Sequence, residues 1–128
     1  MSDHASFLFD ECLSQRVMQG LADLLNTAGA AVHFEHVVQK QYGGINDDVW
    51  IPQIADDGWM IITGDRGMHP KAGKGEKLPI VCERVGVNYV SFGRSWQQRS
   101  NSAKVGALIS LWPQIVEARN DPRGSGYT

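Results

Sequence analysis

The segment W-M-I-I-T-G-D-R-G, residues Trp59–Gly67, carries the strongest structural signal of this 128-residue chain. Its four apolar residues, 59 to 62, are followed at once by polar and turn-forming residues, among them Asp65. A short apolar run bounded by turn residues is typical of a strand buried on both faces, as in a parallel sheet. Ligands bind at the carboxyl ends of strands in open α/β sheets, so Asp65 is a candidate site residue. An aspartate at such a place also caps turns and helices, so Asp65 alone does not decide its role.

Further elements are predicted on both sides of this strand. The apolar run Phe7–Phe9 predicts a first strand, and Asp10 and Glu11 follow it directly. Ser14 is a suitable N-cap for a helix whose apolar residues recur at helical spacing. The other predicted elements are a strand at 31–38, a helix starting near Asp48, a helix at 80–85 ended by Gly86, a strand at 87–92, and a last helix capped by Ser102 with a kink or break at Pro113.

This order of elements, β-α-β-α-β-α-β-α, predicts a single-domain, open, mostly parallel α/β sheet with right-handed crossovers. We expect four strands in the order 2-1-3-4, with helices on both faces, in a domain spanning residues 1–119. Residues 120–128 are expected to form a disordered C-terminal tail. Because strands one and three are then neighbours, Asp10, Glu11 and Asp65 should emerge at the same edge of the sheet. Asp47 lies at the start of the helix that precedes strand three.

The net charge of −2 conceals a division along the chain. Residues 1–65 carry ten acidic and two basic side chains, whereas residues 66–104 carry eight basic and two acidic ones. An acidic half could gather metal ions and a basic half could attract phosphates, although two solvated faces of opposite sign explain the same numbers. No apolar run has membrane-spanning length, and the first residues lack the pattern of a signal peptide. A cytoplasmic location without membrane contact is therefore the expectation, and it suits the two isolated cysteines.

Several carboxylates at one sheet edge predict a binding site for a divalent cation. Hard oxygen ligands of this kind suit Mg²⁺ or Mn²⁺, and crowded carboxylates stay ionised only when cations lie between them. Metal ions held in this way can activate water and stabilise the leaving oxygen of a phosphodiester. The chain has none of the glycine-rich nucleotide loops and no G-x-S-x-G nucleophile motif, which weighs against the usual nucleotide-cofactor sites and against a serine hydrolase.

Three segments in order resemble PIN-like domains of the VapC ribonuclease-toxin type, in their short variant: F-L-F-D-E-C-L at 7–13, D-D-V-W-I-P-Q-I at 47–54 and W-M-I-I-T-G-D-R-G at 59–67. The resemblance spans residues 6–116 and implies a metal-dependent RNA endonuclease. It implies that the catalytic acids are Asp10, Asp47 and Asp65. It also implies Mg²⁺ or Mn²⁺ as the cofactor, RNA as the substrate and a cognate antitoxin as a partner; homodimers are common in this family.

The metal ligands expected from this resemblance are Asp10, Glu11, Asp47, Asp48 and Asp65. Gly67 stands where fuller members of the family often carry another acid, so the number of bound metal ions stays open. The basic residues that follow the Trp59 strand are expected to contact RNA phosphates, namely Arg66, Lys71, Lys74 and Lys77. Such contacts make binding dependent on salt but do not select a sequence.

A non-catalytic α/β binding module is the alternative hypothesis. It could be a receiver-like signalling domain or a degenerate PIN-like domain that only binds RNA or a protein partner. A receiver-like domain also has an acidic pair after strand one and an aspartate after strand three. It should in addition have a Lys-Pro after a later strand, and no such lysine follows the predicted strand that ends at Ser91-Phe92-Gly93.

Overall fold

The computed structural model of the protein describes residues 5–10, 13–29, 32–42, 45–64, 77–92 and 94–127. Strands and helices alternate along this part of the chain. The elements are β1 (Ala5–Phe9), α1 (Gln15–Thr27), β2 (Val32–His36), α2 (Asp47–Ile54), β3 (Met60–Thr63), α3 (Leu78–Val85), β4 (Tyr89–Ser91), a 3-10 helix (Arg94–Gln98), α4 (Asn101–Ala118) and β5 (Gly126–Tyr127).

The strands form one parallel sheet in the order β2-β1-β3-β4-β5. The predicted order 2-1-3-4 is therefore confirmed, and the two-residue strand β5 extends it at the β4 edge. In the centre of the sheet Phe7 of β1 is paired with Met60 of β3, and Ile61 with Tyr89 of β4. This register brings the carboxyl ends of β1 and β3 to the same edge.

Helices cover both faces of the sheet, as predicted, because the central strands are apolar on both sides. Phe7 and Phe9 of β1 pack into a cluster with α1 and α4, whereas Leu8 packs into a second cluster with α2 and α3. All three side chains are fully buried. Burial of each stabilises the fold by about 1.5–3 kcal/mol relative to an exposed position. No helix in the described part of the chain is long and apolar enough to span a membrane.

The N-caps of two helices can be compared with the predicted ones. The Ser14 hydroxyl accepts a hydrogen bond from the Val17 amide at the start of α1, as expected. Helix α4 begins earlier than predicted, because Ser100 and not Ser102 is its N-cap and accepts from the Ala103 amide. A kink or break was predicted at Pro113; the break is wrong, since α4 continues to Ala118. A proline inside a helix costs about 3 kcal/mol, and α4 offsets this by burying a stripe of side chains on both sides of it.

The C-terminal residues differ most from expectation. Residues 120–127 were expected to form a disordered tail, but they form turns and strand β5 beside β4. The buried side chain of Asn88 donates to the carbonyls of Ala118 and Asp121 and accepts from the Ser125 amide. Arg123 donates to the carbonyls of Gly86 and Ala55. These hydrogen bonds use polar side chains that lack any periodic pattern, so β5 could not be predicted from the sequence.

Candidate active site

Asp10 lies at the carboxyl end of β1, where the sheet pairing continues beyond the strand. Its amide donates to the carbonyl of Ile62 in β3 at 3.0 Å. Its carboxylate is 1% exposed and accepts a hydrogen bond from the Thr63 hydroxyl, Oγ1 to Oδ2, at 3.0 Å. The end of β3 therefore holds the acid that follows β1, which fixes this carboxylate at the predicted edge of the sheet.

Asp47 is the first residue of α2, but it does not serve as the cap of that helix. The N-cap is Asn46, whose side chain makes no capping hydrogen bond. The Asp47 side chain accepts a hydrogen bond from Trp50 instead, Nε1 to Oδ1, at 3.1 Å. Trp50 is fully buried and stacks on Tyr42 with ring centroids 5.7 Å apart. The Asp47 carboxylate is thus oriented by a rigid buried donor.

The pKa of the Cys82 thiol, in α3, depends on both of these acids. Burial raises the pKa of the Cys82 thiol well above its usual range, and the negative charges of Asp47 and then Asp10 raise it further. Because Coulomb interactions weaken with distance, both carboxylates lie near this one thiol. Asp10, at the end of β1, and Asp47, at the start of α2, therefore both lie within electrostatic range of α3. Cys82 itself is fully buried and stays a neutral packing residue.

Two of the other predicted site residues lie in the part of the chain that the structure describes. Asp48 is half-buried beside Asp47, and Lys77 is exposed at the N-cap of α3. The remaining ones lie outside the described residues, namely Glu11, Asp65, Arg66, Lys71 and Lys74. Within the described ranges no three His, Cys, Asp or Glu side chains form a group that could hold a metal ion. A complete carboxylate site therefore needs Glu11 or Asp65, which stay predictions.

The two histidines of β2 are structural. His36 is 2% exposed, its Nε2 lies 2.6 Å from the carbonyl of Leu13, and its Nδ1 accepts from the Val38 amide. These partners require the neutral tautomer with the proton on Nε2. The bond to Leu13 ties the segment after Asp10 to the end of β2. His33 hydrogen-bonds Glu35 on the outside of the strand.

Thr63 and Trp50 are the supporting residues that the sequence did not reveal. A hydroxyl two residues before Asp65 and an indole three residues after Asp47 were visible in the sequence. Nothing in their spacing showed that each would donate to a buried carboxylate. Such donors fix the orientation of ligating carboxylates, and loss of one typically lowers metal affinity by about 10–100-fold.

Two open clefts in the described part of the protein lie away from these acids. One, of about 320 Å³, is at the amino ends of β3 and β4 and is lined by residues such as Trp59, Asn88 and Arg119. The other, of about 460 Å³, lies between β4 and α4. Asp10 and Asp47 line neither cleft, so the buried acids and not a cleft define the candidate site.

Comparison with known families agrees with this geometry. The family described as PIN like domain matches residues 5–76, which is more than half of the chain and includes the acids at 10, 47 and 65. Searches of curated proteins and of solved structures gave no match. The match is to PIN-like domains in general and does not test the VapC toxin subtype. PIN-like domains are typically nucleases. The chain belongs to the PIN-like domain family.

Proposed function

We propose that this protein is a Mg²⁺- or Mn²⁺-dependent endoribonuclease that hydrolyses RNA phosphodiesters and is the toxin of a toxin–antitoxin pair. The observation that carries the proposal is the pair of buried acids Asp10 and Asp47, which lie at the end of β1 and the start of α2 and both raise the pKa of Cys82. Thr63 donates to the Asp10 carboxylate and Trp50 donates to the Asp47 carboxylate. Both donors orient buried oxygen atoms of the kind that ligate divalent cations.

The residues present fit a divalent cation, because carboxylate oxygens are the ligands that Mg²⁺ and Mn²⁺ prefer. The proposed ligands are Asp10, Glu11, Asp47, Asp48 and Asp65. Such an ion, when bound, activates a water molecule and stabilises the leaving oxygen of a phosphodiester. The chain's own contribution is orientation, since Thr63 and Trp50 hold two of the carboxylates before the ion arrives.

The RNA backbone would be held by cations near this edge. Lys77 is exposed at the start of α3, and the proposal also includes Arg66, Lys71 and Lys74. Trp96 is excluded as a stacking platform for an unpaired base, because its ring is 3% exposed and packs face to face on Phe92 at 4.0 Å. The proposed contacts are to phosphates, so they provide affinity without sequence selection.

A nuclease assay with purified protein, single-stranded RNA and Mn²⁺ tests the proposed function. Asp65→Asn removes the charge of one proposed ligand and is expected to lower the cleavage rate by about 10²-fold or more. Asp57→Asn is the matched control, because Asp57 is exposed in the turn after α2, and it should cleave at the wild-type rate. Undiminished cleavage by Asp65→Asn would remove Asp65 from the site.

The indole of Trp50 offers a second prediction. Trp50→Phe keeps an aromatic ring against Tyr42 but removes the indole donor to Asp47, so Mn²⁺ affinity should fall by about tenfold. Calorimetric titration with Mn²⁺ measures this change. Trp59→Phe makes the same chemical change at the opposite edge of the sheet and should leave the affinity unchanged. Equal affinities for the two variants would show that the hydrogen bond does not orient a metal ligand.

The toxin role implies a cognate antitoxin protein encoded beside this gene, and homodimers and a cytoplasmic location belong to the same proposal. Identifying the neighbouring gene is the least costly test of the toxin role. Co-expression with the product of that gene should yield a complex that purifies together and has lower nuclease activity than the isolated chain. A neighbour whose product neither binds nor inhibits the protein would contradict the toxin role without affecting the nuclease proposal.

A non-catalytic binding module remains the second candidate, because the strand order 2-1-3-4-5 is also that of receiver-like domains. Ser91 at the end of β4 matches the hydroxyl residue of a receiver, but no lysine accompanies β5. Incubation with a small phosphodonor followed by intact mass measurement distinguishes the two, since a receiver would gain a phosphoryl group. Absence of heat on titration with Mn²⁺ would instead favour a degenerate PIN-like binding domain.

A further inference from the structure

Helix α4 buries a lysine in its apolar stripe. Its buried residues are Lys104, Leu108, Trp112, Ile115 and Ala118, which recur at helical spacing and face the interior. Lys104 is only 9% exposed, whereas lysines are rarely so buried unless they are paired. An apolar residue would extend this stripe without desolvating a charge, so the lysine calls for a reason other than packing.

Lys104 lies at the same end of the protein as the candidate acids. Strands β4 and β5 are parallel, so α4 must start at the carboxyl edge of the sheet and return to the amino edge. Lys104 is the fourth residue of this helix. The next residue, Val105, packs against Gly20 of α1, where an added Cβ would lie 3.3 Å from Val105 Cγ2. Helix α1 in turn begins five residues after Asp10, at the same edge.

The ammonium group of Lys104 is available to a ligand. Among the described residues no hydrogen bond or ion pair to this group is found, and the one fully enclosed side-chain polar atom without a partner is Nε1 of Trp96. The Lys104 Nζ atom therefore reaches solvent, while its methylene groups are buried along the stripe. Burial of the stem limits where the ammonium can go, so the charge is held close to one place at the carboxyl edge.

We propose that Lys104 binds a phosphate of the RNA backbone at the carboxyl edge of the sheet. This inference rests on the proposed function, which supplies RNA as the ligand. A lysine ammonium binds phosphate as a point charge and needs no fixed geometry. It would neutralise a backbone phosphate at the carboxyl edge of the sheet, and it adds a cation from α4 to the proposed contacts from 66 to 77. Each such contact releases counterions and therefore contributes to the salt dependence of binding.

Binding of a fluorescein-labelled single-stranded RNA in EDTA, followed by anisotropy at several salt concentrations, tests the inference without relying on catalysis. Lys104→Met retains an unbranched apolar stem and removes the charge. We expect affinity at low salt to fall by about fivefold to tenfold, and the slope of log K against log salt to become shallower by about 0.7. Lys104→Arg, which keeps the charge, should restore most of the affinity and the slope.

Lys40→Met is the matched control. The Lys40 ammonium already pairs with Glu35 at 3.7 Å and lies over the Trp59 ring, so its loss should leave the slope unchanged. Wild-type affinity and slope in Lys104→Met would overturn the inference, as would weaker binding with an unchanged slope, which marks a structural effect. RNA binding that depends on Lys104 in a protein that cleaves nothing would contradict the nuclease proposal alone. Failure of the wild-type protein to bind RNA would overturn both.

Discussion

Asp10→Asn is expected to reduce Mn²⁺-dependent cleavage of RNA by about 10³-fold, because a metal ligand that contributes several kcal/mol to the transition state is lost. Asparagine has nearly the same shape, and its side-chain oxygen can still accept the hydrogen bond from Thr63. The sheet edge should therefore stay intact while the charge disappears. Initial cleavage rates of purified wild-type and variant proteins at saturating Mn²⁺ measure the effect.

Asp23→Asn is the control for this substitution. Asp23 is an exposed acid on α1 that hydrogen-bonds Gln19, so its neutralisation changes the net charge by the same amount at a distant place. Its cleavage rate should equal that of the wild-type protein. A loss of less than tenfold in Asp10→Asn, in a variant whose melting temperature is unchanged, would show that Asp10 is a structural acid and not a metal ligand.

Asn88→Ala is expected to lower the free energy of unfolding by about 3 kcal/mol. This side chain satisfies two backbone carbonyls and one backbone amide of the C-terminal segment, and each buried group left without a partner costs about 1–3 kcal/mol. Urea unfolding followed by circular dichroism measures the change, with a lower transition midpoint as the readout. The expected loss is large because Asn88 is the link between β4 and the segment that carries β5.

Two further variants serve as comparisons for Asn88→Ala in the urea unfolding experiment. Asn88→Asp keeps the oxygen that accepts from Ser125 but turns a charged acceptor towards the carbonyls of Ala118 and Asp121, so it should be no more stable than the alanine variant. Asn26→Ala removes an exposed asparagine of α1 and should change stability by less than about 0.5 kcal/mol. Equal stability of Asn88→Ala and Asn26→Ala would mean that the C-terminal segment contributes little to the fold.

The core of the fold could be predicted because its signals are local. The apolar runs at 7–9 and 59–62 predicted β1 and β3, and the strict alternation of strands and helices predicted a parallel sheet. Parallel connections with right-handed crossovers leave few arrangements, so the order 2-1-3-4 followed from the element order. The same connectivity placed Asp10 at the carboxyl edge, and the hydrogen bond from Thr63 agrees with it. Connectivity left the position of Asp47 relative to that edge open, and only the resemblance to PIN-like domains pointed to this acid.

The remaining features depend on contacts between distant residues. Strand β5 has only two residues. Its segment is held by hydrogen bonds between residues 37 positions apart, from Ser125 to Asn88 and from Arg123 to Gly86. Helix α4 runs past Pro113 because its buried stripe outweighs one missing hydrogen bond. Only the structure shows that the indole of Trp50 donates to Asp47 and that the stem of Lys104 is buried along α4.

Calorimetric titration of the metal-free protein with Mn²⁺ tests most directly whether the buried acids form a metal site. The wild-type protein should bind Mn²⁺, and Asp10→Asn and Asp47→Asn should each weaken binding by at least about tenfold, since each removes a proposed ligand. Asp23→Asn should bind as the wild-type protein does. Absence of binding to the wild-type protein, or equal affinity in all four proteins, would contradict a metal site at Asp10 and Asp47.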